Sequence, residues 1–147
     1  METNLTIRHL APYLPYGLKI LNGKIQYDLI GVMPYKTITK SFEDEFRLIV
    51  KSEDNAMDEF PLDKHTQIIF RPLSDLTKEI EVNGQIIKPI DYISTSLKDS
   101  QQIMRRVAHE LPLDTLEYWK IQRLAELHFD FQNLIKENLA IDFNSLK

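Results

Sequence analysis

Two Asn-Gly dipeptides, Asn22-Gly23 and Asn83-Gly84, constrain the fold of this chain more than any other feature. A two-residue type I′ turn needs positive φ at both central positions, which Asn-Gly adopts at little steric cost. Each dipeptide lies between apolar runs, so each predicts an antiparallel hairpin. Around the first, Ile20 is expected opposite Ile25 and Leu18 opposite Tyr27, with Lys19 and Gln26 on the other face. Around the second, Ile80 is expected opposite Ile87 and Glu79 opposite Lys88, with Pro89 closing the ladder. A helical turn over Ser74 to Glu79 competes with this hairpin for Glu79. Phe46 to Val50 and Thr66 to Phe70 are further strands by composition, the latter closed by Pro72.

The last third reads as helix. Ser96 can cap a first helix over about 97–110, with Asp99 in its first turn and Leu97, Met104, Val107, Ala108 and Leu111 at helical spacing before Pro112. Asp114 with Glu117 forms a capping-box pattern that opens a second helix over about 115–137. Ile121, Leu124, His128, Phe131 and Ile135 make its apolar stripe, and Asn138 is its stop. Leu139 to Phe143 reads as an extended tail that packs back. The predicted architecture is α+β: an antiparallel N-terminal sheet packed against C-terminal helices. The 147 residues suit one domain over 1–147, with 1–93 mainly strands and turns and 94–147 mainly helical.

Composition narrows function by exclusion. With no cysteine, disulfides, thiolate nucleophiles and cysteine zinc sites are ruled out. No apolar run is long enough to cross a bilayer, and Met1-Glu2-Thr3-Asn4 is not the start of a secretory signal, so a cytoplasmic protein is expected. No nucleophile elbow, phosphate loop or dinucleotide fingerprint is present. No catalytic residue, cofactor or metal is expected. The acidic stretch Glu53 to Asp63 lacks the spacing of a calcium loop and is expected to be a solvated loop.

Three sets of residues remain as candidates. His128 and Asp130 are the most tempting chemical pair, but on a helix residues two apart diverge by about 200°. The expectation is therefore a core-edge His128 and a solvent-facing Asp130. An enzyme would instead need a pocket that gathers distant groups such as His65, Arg71 and Asp75. The second set is Arg8, Tyr13, Tyr16, Lys19, Lys24, Tyr35, Lys36 and Lys40, a basic and tyrosine-rich stretch that could stack single-stranded bases and neutralise phosphates. Against it, these tyrosines also suit half-buried strands, and the net charge of −4 is unfavourable for nucleic acid. The third is Tyr118 with Trp119. Buried, they would be a core anchor; exposed, they would mark a protein-partner or self-association surface.

Leu14-Pro15-Tyr16-Gly17-Leu18-Lys19, the run Phe70 to Ile80 with its Arg71-Pro72-Leu73-Ser74-Asp75-Leu76 core, His128-Phe129-Asp130 and the tail Leu139 to Asp142 resemble small proteins encoded in phages and prophages of Bacteroides-type bacteria. The family has no established activity, so no functional residue carries over. The resemblance implies a cytoplasmic protein of a bacterial host that acts among phage genes. It also implies that Arg71, Pro72, Ser74 and Asp75 define a local structure. The function expected is that of a non-catalytic interaction or accessory protein. The alternative is a single-stranded nucleic-acid binder, and no membrane association is expected.

Overall fold

The computed structural model describes residues 5–34, 46–61 and 66–146. A short helix α1 (Ile7–Leu10) and a 3₁₀ segment (Ala11–Tyr16) lead into strands β1 (Lys19–Asn22), β2 (Ile25–Pro34), β3 (Phe46–Lys51), β4 (Met57–Pro61) and β5 (Thr66–Phe70). A 3₁₀ turn (Leu73–Thr77) precedes the small hairpin β6 (Ile80–Val82) and β7 (Gln85–Ile87). Helices α2 (Pro89–Ile93), α3 (Leu97–Ala108) and α4 (Tyr118–Glu126) follow, then strand β8 (Ile141–Asp142) and a last 3₁₀ turn (Phe143–Leu146). Six strands form one sheet in the order β4-β3-β2-β1-β5-β8, antiparallel except for the parallel β5–β8 pair. The α+β architecture is the predicted one, and the tail does return to the sheet.

The two Asn-Gly dipeptides do different things. At Asn83-Gly84 both residues have positive φ, 51° and 80°, and Ile80 pairs with Ile87 as expected. The strands end before Glu79 and Lys88, so that predicted pair does not form in the ladder. At the first hairpin only Gly23 has positive φ; Asn22 pairs with Ile25, and the turn moves to Gly23-Lys24. Ile20 therefore faces Tyr27, and the Leu29 amide donates to the Leu18 carbonyl at 2.7 Å. The shift is two residues along β2, so every side chain keeps its predicted face. The physical reason is burial. In the type I′ register Leu29 would lie opposite Tyr16, beyond the start of β1. In the observed register Leu29 is fully buried, contributing about 1.5–3 kcal/mol, and Lys19 forms an ion pair with Asp28.

The acidic stretch is also corrected. Residues 57–61 are not loop but the edge strand β4, paired along β3 and tied by Arg47 to Glu59 at 2.6 Å. Its charged Asp58 and Glu59 are what an edge strand carries to discourage further pairing.

The second predicted helix, 115–137, is shorter than expected. Glu117 rather than Asp114 is its N-cap, and it ends at Glu126. His128 takes the left-handed conformation, φ 63°; its amide donates to the Ala125 carbonyl at 3.0 Å, and the Phe129 amide to Leu124 at 2.9 Å. That bond pair is a Schellman stop, with histidine in the place glycine usually fills. Phe129, Asp130 and Phe131 are then all buried. A continuing helix would turn Phe129 and Phe131 about 200° apart and could not bury both. Glu110 ends α3 and Asn138 ends the last turns by the same pair of bonds. One core cluster unites Leu10 and Tyr13, the inner faces of β1, β2, β3 and β5, and Ile90, Ile93, Ile103, Leu124, Phe129 and Phe131.

Candidate interaction face

The starts of α3 and α4 are fastened together by a partly buried ion pair. Ser96 caps α3 by accepting from the Asp99 amide at 3.1 Å. On α4, Lys120 falls on the inward stripe with Leu124 and Leu127, and is only 3% exposed. Its ammonium lies 2.8 Å from both Asp99 carboxylate oxygens and 3.1 Å from Glu117. The hydrogen bonds from Lys120 hold the Asp99 carboxyl below its usual range. Burial works against the Lys120 charge, but bonding to Asp99 and Glu117 outweighs it and keeps the amine above its ordinary value. Lys120 is buried while Asp99 keeps 17% and Glu117 63% of its side chain exposed, so the pair lies at the edge of the core and orients the helix starts more than it stabilises them.

Over this fastening the aromatics point outward. Tyr118 is 74% exposed and Leu97, at the first position of α3, is 75% exposed. Trp119 is half-buried, and its Nε1 donates to Glu117 at 3.1 Å. The Arg123 guanidinium sits 4.9 Å from the Trp119 ring and 4.6 Å from that of Tyr92, and donates to the Tyr92 carbonyl at 2.5 Å. Trp119 is thus fixed by cation–π contact and hydrogen bonding. Of the two expectations for this pair, Tyr118 is not a buried core anchor, and Trp119 is buried only in part. Sequence reasoning missed Lys120, Asp99 and Arg123. The signals were a lysine four residues before the buried Leu124 and a Trp–Arg spacing of four on one helix face.

Among the described residues, the members of the basic N-terminal set are not gathered on one stacking surface. Tyr13 is fully buried; its hydroxyl donates to the Phe129 carbonyl at 2.6 Å, and its ring lies 4.7 Å from Phe70 and 5.3 Å from Phe131. Tyr16 is half-buried at the end of its 3₁₀ segment, and Lys19 is paired with Asp28. Arg8 is exposed on α1. Lys24 borders an open depression of about 840 Å³ whose other charged residues are Glu53, Asp54 and Asp58, a poor setting for phosphates. Tyr35, Lys36 and Lys40 lie outside the described residues.

His128 and Asp130 are not on a helix, and Asp130 does not face solvent. Asp130 is 3% exposed and accepts from the amides of Leu134 at 2.8 Å and Ile135 at 2.9 Å. Burial raises its pKa despite those bonds. His128 Nε2 donates to the Tyr16 carbonyl at 2.7 Å. Burial lowers the His128 pKa; the Tyr16 bond opposes this, and nearby Arg71 and Lys19 reinforce it. The backbone here forms a bridge: the Arg71 amide donates to His128 at 2.8 Å and the Asp130 amide to Arg71 at 2.9 Å. Asp75 is buried, ion-paired with Lys78 at 2.9 Å and bound by Asn144 at 2.7 Å, while Arg71 covers the Phe143 ring at 4.9 Å. The distinctive Arg71–Leu76 run therefore seats the C-terminal tail. His65 lies outside the described residues.

Among the described residues, no group of three His, Asp or Glu could hold a metal ion, and no helix is long and apolar enough to cross a membrane. No protein-family model matches the sequence, and no curated protein or solved structure is significantly similar to it.

Proposed function

We propose that this is a non-catalytic interaction protein that docks a protein partner, or a second copy of itself, on the face formed by the starts of α3 and α4. The observation that carries the reading is Tyr118, a large aromatic left 74% exposed on the outer side of α4, whose inner side carries the buried Lys120. Isolated exposed apolar residues are ordinary. Here, two of the most exposed large ones, Leu97 and Tyr118, open the two helices that the Asp99–Lys120 pair joins. Tyrosine and tryptophan on a rigid base are what interface hot spots are made of, because little rotamer freedom is lost on docking. The resemblance of Leu14–Lys19 and Phe70–Ile80 to phage and prophage proteins would imply an accessory role within a bacterial cell.

The test is a photo-reactive phenylalanine analogue placed at position 118 in the producing cell, with position 136 as an exposed control. The expected result is an adduct of defined mass from position 118 and none from position 136. Equal labelling at both positions, or no adduct at 118, would refute the assignment of this face.

A further inference from the structure

The two Asn-Gly dipeptides differ in their chemistry as well as in their turns. Asparagine is a thermolabile residue. In an Asn-Gly sequence the glycine amide nitrogen can attack the asparagine side-chain carbonyl carbon. The new N–C bond closes a five-membered succinimide, and ammonia leaves. Water then opens the ring at either carbonyl, giving aspartate or isoaspartate. One water is consumed and one ammonia released, with no oxidant or reductant. Glycine favours the attack because it has no Cβ to hinder its nitrogen. Asn55, Asn133, Asn138 and Asn144 are followed by Ala56, Leu134, Leu139 and Ser145, so among the described residues only Asn22 and Asn83 have this advantage.

By sequence the two sites rank alike; the fold separates them. Ring closure needs the Asn–Gly peptide to rotate toward the side chain, so its rate follows how readily the segment opens. Asn22 ends β1 inside the six-stranded sheet. It is half-buried and pairs with Ile25 on β2 and with Thr66 on β5, so opening it breaks two ladders. Asn83 belongs to the β6–β7 hairpin, a two-stranded sheet of its own. Such a hairpin has little stability by itself. Ile80, Val82 and Ile87 rest on the core, but Asn83, Gly84, Gln85 and Ile86 are all exposed. The turn can therefore open with the main sheet intact.

We propose that Asn83 is a site of spontaneous deamidation in the folded protein and that Asn22 is protected. The product carries one more negative charge on an exposed turn. Aspartate suits the left-handed backbone there. Isoaspartate adds a methylene to the main chain and displaces the adjoining Val82–Gln85 pair.

The experiment ages the full chain in mildly alkaline buffer, with a parallel sample unfolded in urea. Peptide mapping follows both sites, with Asn83→Asp as the standard for the aspartate product. In the folded protein Asn83 is expected to convert at least about tenfold faster than Asn22, equivalent to about 1.4 kcal/mol of extra opening free energy at Asn22. In urea the two rates should converge, because the neighbouring glycine is common to both. Comparable rates in the folded protein, faster conversion at Asn22, an intact Asn83 when the urea sample has converted, or a contrast just as large in urea would each overturn the proposal.

Discussion

His128 shows how one residue can redirect a segment. Its left-handed φ of 63° ends α4, and its ring reaches the Tyr16 carbonyl 112 positions earlier. Two substitutions separate these roles. His128→Val imposes a β-branched side chain on a left-handed backbone, about 1–2 kcal/mol, and leaves the Tyr16 carbonyl without its donor, about 1–3 kcal/mol more. His128→Gly loses the same bond but removes the backbone strain, so urea unfolding should rank wild type above Gly above Val. Titration gives a further test. The His128 pKa is lowered from 6.5 by burial, so the folded state favours the neutral ring. Stability from this group is fully present above 6.5 and is lost as pH falls through the lower folded value. His9, lowered for the same reason, acts in the same direction. Unfolding free energy should therefore drop between pH 7.5 and 5.5, and His128→Asn should flatten part of that slope. An unchanged slope in the variant would place the titration elsewhere.

Among the elements, the paired Asn-Gly turns give the sharpest contrast. Asn83 needs its left-handed φ and Asn22 does not. Asn83→Thr should lose about 1–2 kcal/mol, while Asn22→Thr should stay within about 0.5 kcal/mol, as surface changes without such strain do. Thermal unfolding of the two variants reads this directly, and equal losses would contradict the observed register. This contrast also marks what was legible in the sequence. Strand faces, the cap at Ser96 and the extent of β5 are local or periodic signals, and they predicted the structure well. The register of the first hairpin was not local: burial of Leu29 and pairing of Lys19 with Asp28 decided it. The end of α4 was hidden for a similar reason. Leu124, His128, Phe131 and Ile135 keep helical spacing in the sequence, yet His128, Phe129 and Asp130 are drawn into a bridge with Arg71, nearly sixty positions upstream. Of the candidate face, Tyr118 and Trp119 were visible as residues, but their exposure depends on Lys120 taking the inward stripe against Asp99. Lys120→Met tests that hinge between elements. Removing one partner of a fully buried pair costs about 3–5 kcal/mol; Asp99 keeps 17% exposure and still accepts from the Thr95 amide, so a loss below that range is expected in chemical denaturation.

At the scale of the molecule, one core supports two surface features with different demands. The helix starts present rigid aromatics, as the proposed docking role requires, and the β6–β7 turn presents Asn83 on a hairpin outside the main sheet. The docking role is tested most directly by the mass of the native particle, measured by light scattering on protein gently purified from the cell that makes it. The proposal predicts an assembly larger than the 17.3 kDa chain, reduced to 17.3 kDa by Tyr118→Asp with an unchanged thermal midpoint. A wild-type particle of 17.3 kDa, or an assembly that survives Tyr118→Asp intact, would contradict it.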